Sequence, residues 1–481
     1  MLRARSVILF GCLLSPALAQ ITPGNLVLLR VGTGSAALSN ASTALFLDEY
    51  TLAGTFVQSV PLPTSANGLH KPVTSSGTAT SEGALTQSAD GRFLLVAGYG
   101  TAPGGASVAS SSSSSVPRVC ARIGLDEVID STTALSDAYS QNNFRGIASY
   151  SGLEFWTAGT ASAANNPSVR FVAGLGASSS LQLDTTSINI RRVDVWNNQV
   201  WAVTATGSAF GVCAVGNGLP TTSPQSISLL PGFPTTSGPS PYDFWFANAN
   251  TLYVADDRTT GLGGIQKWAL AAGVWTLQYT LSPGPGVGCR GLSGFTANGV
   301  TTLCATTTGN QLVKAIDTGA ASLVQSLAIG PANTAWRGLR FVRTPASLTF
   351  VGQPCSTTFG PPYIGAAGGD PVAGNSNFTL ATDNTPPQAL VLFSVKLGAV
   401  LPTGVALPGA QPCVLVHVFP DVLVAVIADA FGSAQVGLPI PNEGGLGGTQ
   451  IGVQSLVFDA NLSAWALPFG SSDALQIVIG N

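Results

Sequence analysis

All-β is the fold class that the sequence predicts, and three observations predict it. Only 9% of the 481 residues are charged while 45% are apolar, against roughly 25% charged in an average soluble protein. That balance excludes a disordered chain, a coiled coil and an ordinary helical enzyme, all of which rely on abundant Lys, Glu, Asp or Arg. The 57 glycines and 31 prolines follow no collagen-like period, so they read as turns between short strands. Finally, one short apolar strand recurs along the first two thirds of the chain.

The recurring strand is Asn25–Arg30, Phe93–Gly98, Glu154–Gly159, Gln199–Thr204, Thr251–Asp256 and Thr301–Thr306, with starts 68, 61, 45, 52 and 50 residues apart. Periods of about 40–50 residues, with four strands each, are the signature of a β-propeller. The fifth unit reads as strands at Tyr242–Ala247, Thr251–Asp256, Gly264–Leu270 and Trp275–Leu281. The sixth reads as Cys289–Thr296, Val300–Thr307, Gln311–Asp317 and Leu323–Ile329. The first unit lacks an inner strand, and Trp336–Val342 lacks a second one. Pairing 336–342 beside Asn25–Arg30 closes a six-bladed ring and removes two open sheet edges.

Ala102–Pro117, with its run of serines, has the composition of a flexible loop and falls between the second and third strands of the second unit. After Thr344-Pro345 the pattern changes. Residues 346–481 carry further apolar segments with Pro/Gly turns, including Asn377–Ala381, Ala389–Lys396, Cys413–Phe419, Val422–Asp429, Ala434–Pro439, Gln450–Asp459 and Ala474–Gly480. Their spacing predicts a β-sandwich. The expected division is a leader at 1–19, a propeller at 20–345 and a sandwich at 346–481.

Residues 1–19 have the three parts of a secretory signal: Arg3 and Arg5, the apolar run Val7–Leu14, and Ala17-Leu18-Ala19 as the cleavage site. Leu9-Phe10-Gly11-Cys12 offers a rival lipoprotein reading. Loss of Arg3 and Arg5 takes the basic count from 19 to 17 against 22 acidic residues, a net charge of −5 that gives no basic field for nucleic acid. Mean hydropathy is positive (+0.36), yet charges and prolines break every long apolar run, so no transmembrane segment is predicted. Six of the seven cysteines follow Cys12, an even number suited to an oxidising compartment. Cys355 and Cys413 are the candidate pair in the second domain. Cys120, Cys213, Cys289 and Cys304 allow three pairings, which spacing does not rank. No C-x-x-C pair or histidine cluster predicts a metal site, and no motif predicts a cofactor.

Four runs carry a resemblance: Ala37–Glu49, Ser76–Glu82, Leu230–Tyr242 and Thr251–Arg258. Through them residues 25–345 resemble a family of secreted bacterial β-propeller proteins of uncharacterised function. Residues 350–481 are similar, at Gly374–Leu380, Gln411–Leu415, Ala434–Asn442 and Ala474–Gly480, to a C-terminal module carried by many secreted proteins of environmental bacteria. The resemblance implies a fold, an extracellular or cell-surface location and a handle for surface retention or export. It implies no mechanism.

Alignment of the inner strands gives one constellation. Three begin Arg-Gly-aliphatic, at Arg145, Arg290 and Arg337, while Arg192, Glu82 and Tyr242-Asp243 take the matching places elsewhere. Rotation between blades turns these positions into a ring at the channel mouth. Guanidinium forks pair with carboxylate, sulfate or phosphate, so an anionic ligand such as an acidic polysaccharide, or a cell-surface component bearing one, is the expected partner. The competing reading is that the arginines pair internally with Glu82, Asp243 and backbone carbonyls and fill the channel. Non-enzymatic recognition is favoured. The alternative is polysaccharide cleavage of a sialidase-like or lyase type with Glu82 and Asp243 as the acid–base groups. His70-Lys71, the serine tract and Asp256-Asp257-Arg258 should form the rim, and Trp156, Trp201, Trp268 and Trp275 should pack inside rather than stack on sugar.

Overall fold

The computed structural model describes residues 20–162, 167–186, 189–297, 299–441 and 446–480. The leader expected at 1–19 lies outside the described residues. The chain is all-β, built from antiparallel sheets, many of them four-stranded. A 3-10 turn spans Val108–Ser110.

Four sheets have four strands each and meander outward in chain order. The first holds Phe144–Ala148, Phe155–Gly159, Arg170–Val172 and Leu181–Gln182. The second holds Ile190–Trp196, Gln199–Thr206, Ala209–Val215 and Ile227–Leu229. The third holds Pro241–Asn248, Thr251–Asp256, Gly264–Ala271 and Val274–Leu281, and the last Cys289–Ala297, Val300–Thr307, Gln311–Asp317 and Val324–Ile329. A nine-stranded sheet joins two more such sets. In one, Ala335–Phe341 pairs antiparallel with Leu26–Val31, Leu339 opposite Leu28, followed by Ser42–Tyr50 and Phe56–Pro61. In the other, Leu85–Gln87, Phe93–Tyr99, Arg118–Gly124 and Ile129–Leu135 follow in order, and the three-residue strand Thr74–Ser76 bridges the sets.

The recurring apolar strand is the second strand of every set. Thr251–Asp256 shows why it lacks the usual apolar–polar alternation: it is buried almost throughout, since other sheets cover both its faces. The gaps between sheets hold separate apolar clusters. One contains Trp156, Val193 and Ala202, and another contains Phe244, Val254, Trp268 and Trp275. Each Val or Leu buried this way contributes about 1.5–3 kcal/mol. Trp201 packs against Phe246, so the four tryptophans expected inside do pack inside.

The innermost strands lie against one another in a cycle. Leu85–Gln87 touches Phe144–Ala148, which touches Ile190–Trp196, then Pro241–Asn248, Cys289–Ala297, Ala335–Phe341, and so back to Leu85–Gln87. The channel residues discussed below sit on these strands.

Two expectations need correction. The serine tract is tied down: the fully buried Arg118 donates to the carbonyls of Ser111 and Val116, and Val108 and Ser113 are buried beneath it. Of the strand expected at Cys413–Phe419, only Leu415–Val416 forms. The Gln454 side chain accepts from the His417 N–H and donates to the Leu415 carbonyl, taking the place of a ladder partner.

Beyond residue 346 a five-stranded sheet (Ser347–Val351, Phe469–Val478, Gln450–Phe458, Leu390–Leu397, Val422–Ile427) and a three-stranded one (Tyr363–Ala367, Thr379–Asp383, Ala434–Gly437) share one core. Phe378 and Leu380 meet Val391, Phe393, Val453 and Ile477 there. Cys355 and Cys413 form a disulfide with a Cα separation of 5.3 Å. Cys120, Cys213, Cys289 and Cys304 are buried free thiols.

Candidate functional site

The inner strands carry a repeated irregularity where the channel opens. In five of them one extra residue interrupts the pairing with the second strand. Phe144 and Gly146 face consecutive residues, leaving Arg145 over; Ile190 and Arg192 leave Arg191 over; Pro241 and Asp243 leave Tyr242 over. Arg290-Gly291 oppose the single residue Thr306, and Arg337-Gly338 oppose Leu29. A β-bulge re-aims the side chain it carries and is common beside binding sites. The structurally equivalent residues are therefore Arg145, Arg191, Tyr242, Arg290 and Arg337. The alignment that put Arg192 and Asp243 in those places is one residue out in two strands.

That offset decides which side chains reach the mouth. The mouth is an open concavity of about 300 Å³, counting the solvent space above it, bordered by Thr80, Glu82, Arg191, Tyr242, Arg290 and Arg337, with Arg192 and Asp243 beneath. Six of the seven ring residues expected from sequence border this one cavity; Arg145 stands outside its lining.

Arg192 and Asp243 turn into the wall and form an ion pair. Asp243 also accepts from the Phe244 N–H at 2.6 Å and the Leu292 N–H at 2.8 Å. Arg192 further contacts Asp194 at 3.2 Å, and Asp194 in turn pairs with Arg340. Burial pulls the Arg192 guanidinium down to about 10 and raises the Asp194 carboxyl. Asp194 and Arg340 were not singled out from the sequence; they lie inside strands, where no repeated motif marks them.

Glu82 is also occupied. Its Oε2 accepts from Ser75 Oγ (2.8 Å) and the Ser76 N–H (2.9 Å), and its Oε1 from Tyr99 OH (2.5 Å) and Asn143 Nδ2 (2.8 Å). The Tyr99 hydroxyl, buried and then facing Glu82, is held well above its ordinary pKa and so stays a donor. Arg337 is held by backbone alone, donating to the carbonyls of Ser76 and Gly77, both at 2.8 Å, and of Ala79. Arg145 donates to Asn189 and to the Ile190 carbonyl. Burial lowers both guanidiniums to about 10, with Arg191 adding to the effect at Arg145.

Two guanidiniums remain more accessible. Arg191 donates to Ser240 Oγ and the Pro241 carbonyl, both at 2.9 Å and both neutral. Arg290 reaches Asp257 only at 3.3 Å, with about a quarter of its side chain exposed. Both lie over the Tyr242 ring, their Cζ atoms 4.3 and 5.6 Å from its centroid, a cation–π arrangement that fixes long side chains. The lining carries four arginines against two carboxylates, and with Asp257 paired to Arg290 at the rim an excess of one positive charge remains in a chain of formal net charge −3.

The rim is only partly as expected. Asp257 stands at the mouth through Arg290, and Arg258 is clamped by Asp256. His70 and Lys71 instead meet Ser131, on the outermost strand of their set. Among the described residues no three His, Cys, Asp or Glu side chains group to hold a metal ion.

No protein-family model and no curated protein matches the sequence. Solved structures share the propeller-type fold at low identity. A putative 6-phosphogluconolactonase from Bacteroides uniformis is 11% identical with a TM-score of 0.38, covering 75% of this chain and 92% of its own. A GH74 enzyme from Niastella koreensis is 9% identical with a TM-score of 0.38, covering 94% and 74%. A chain of a nidogen/laminin complex is 10% identical with a TM-score of 0.36, covering 66% and 97%. These likenesses concern the fold alone.

Proposed function

We propose that the chain is a secreted six-bladed β-propeller, closed by 335–341, with a C-terminal β-sandwich as a surface or export handle, and that it binds an anionic ligand at the channel mouth without cleaving it. The cycle of inner strands supports the blade count, and the core shared by two sheets supports the sandwich. The Cys355–Cys413 disulfide is consistent with an extracellular protein.

The observation that carries the binding reading is the pair of guanidiniums, Arg191 and Arg290, set over Tyr242 beside an excess of positive charge. A carboxylate, sulfate or phosphate placed there gains charge-assisted hydrogen bonds from groups already oriented. An acidic polysaccharide suits an open mouth better than a small enclosed metabolite does. Cleavage fits the geometry less well. A general acid or base needs a carboxyl group that can reach substrate, whereas Glu82 carries four hydrogen-bond donors and Asp243 an ion pair and two backbone N–H groups.

The test is to incubate the mature chain with neutral and acidic polysaccharides and measure retention and product release together. Retention of acidic glycans at low salt, lost in an Arg191→Ala/Arg290→Ala variant that melts like the parent, is the expected result. Product release abolished by Glu82→Gln or Asp243→Asn would establish the enzymatic alternative. Equal binding by parent and folded double variant would remove the mouth as the site.

A further inference from the structure

A second cavity lies between the sheet that contains Ala209–Val215 and the sheet that begins at Pro241–Asn248. We propose that it binds a small ring-bearing molecule with one hydrogen-bond acceptor, of the aryl carboxylate or aryl ketone class. This inference does not rest on the mouth reading.

The cavity spans about 410 Å³, counting the space open to solvent, and like small-molecule sites in general it is concave and lined mostly by apolar and aromatic groups. Its walls are mainly Phe210, Phe233, Pro239, Trp268 and Leu277. The Phe233 and Trp268 rings stack at 4.1 Å between centroids, and this buried pair gives the cavity a rigid aromatic wall. Gly211 lets Phe233 sit so close: a Cβ there would stand 2.1 Å from the ring. Two of the runs singled out in the sequence, 230–242 and 251–258, converge on this cavity, and they also reach the mouth, through Ser240, Pro241 and Tyr242 in the first and Asp257 in the second.

The polar groups around the cavity are already paired. Trp268 Nε1 donates to Gln266 Oε1 at 3.2 Å. Asp256 accepts from the Ser240 N–H, from Gln266 Nε2, and from Arg258 Nε and Nη2 at 2.8 and 2.9 Å. An apolar occupant thus strands no buried donor or acceptor, the usual cost of entering such a site. One donor is left over. Arg258 Nη1 has no hydrogen-bond partner among the described residues, and Arg258 lines the cavity. Because Asp256 neutralises this guanidinium, Nη1 offers direction rather than net charge and can donate to a carbonyl or to a carboxylate oxygen. The mouth, with its surplus of arginines, has the opposite character.

The experiment uses phenylacetate, acetophenone and acetate as probes of the mature chain, read by saturation-transfer NMR and by quenching of tryptophan fluorescence. The two aryl probes are expected to bind with dissociation constants on the order of 1 mM, as their size allows, and acetate not at all. Leu277→Trp, which fills the cavity from a half-buried wall, should weaken both by about 10-fold or more, and Arg290→Ala should change neither. If Leu277→Trp does not fold, Leu262→Trp at a position 52% exposed on the same cavity serves instead. Aryl binding no stronger than acetate, or unchanged by a folded cavity-filling variant, overturns the proposal. Loss of aryl binding in Arg290→Ala would assign the probes to the mouth and overturn it too, while leaving the mouth reading intact.

Discussion

Removal of one carboxylate, in Asp243→Ala, tests whether the ion pair under the mouth is structural. Arg192 would keep its charge in a position 1% exposed, and the N–H groups of Phe244 and Leu292 would lose their acceptor. Breaking a buried pair from one side costs about 3–5 kcal/mol. The lower end applies here, because Arg192 keeps Asp194 at 3.2 Å, shared with Arg340. The expectation is about 3 kcal/mol. Urea denaturation followed by tryptophan fluorescence measures it. Seven of the eight tryptophans precede residue 345, so the signal reports chiefly on that part of the chain. The double variant Arg192→Met/Asp243→Leu removes both charges but still leaves the Phe244 and Leu292 N–H groups without an acceptor, so it should recover about 1–2 kcal/mol of the loss. A loss below about 1 kcal/mol in Asp243→Ala, or a double variant worse than the single one, would refute the reasoning.

Three other outcomes are expected. Burial would raise the Asp317 carboxyl, but hydrogen bonds from Lys267, Tyr253 and Tyr279 outweigh it and hold the group down to about 2; its stabilising contribution is complete above the ordinary value of 3.8 and lost as pH falls toward 2, so Asp317→Asn should flatten that part of a stability-versus-pH curve. Cys355 and Cys413 close a loop with a separation of 58 residues, so Cys355→Ser/Cys413→Ser should cost roughly 2–4 kcal/mol in the transition of the C-terminal sheets, read by calorimetry. Burial pushes the Cys213 and Cys304 thiols up to about 12 and raises Cys120 and Cys289 as well, so a thiol reagent should label none of the four in the folded chain and all four in denaturant.

The strands and their order were legible because turns and apolar runs are local signals. Thr251–Asp256, Val300–Thr307 and Gln311–Asp317 have the bounds read from sequence. The pairing of 335–341 with Leu26–Val31 was legible from a deficit, one set short of a strand and one strand short of a set. Thr74–Ser76 was not, since three polar residues show no alternation and their place is set by the two strands they bridge. At the mouth, residue types were legible but not their direction. Arg191 and Arg192 are adjacent and identical, and only the bulge, which depends on pairing with Gln199–Thr206, determines which one faces the opening. Asp194 and Arg340 form a pair 146 residues apart, a distance across which no local pattern acts.

The strand that completes the first set has a consequence for the order of folding. Val31 pairs with Ala335, and joining ends separated by about 300 residues costs about 5 kcal/mol in loop-closure entropy. The middle sheets pair strands from neighbouring segments and can form as the chain emerges, while Leu26–Val31 waits with one edge open until nearly the whole ring has been synthesised. Truncation at residue 334 would thus do more than delete one strand. It would trap a late intermediate with the Leu26–Val31 edge exposed, a species apt to join with a neighbouring chain.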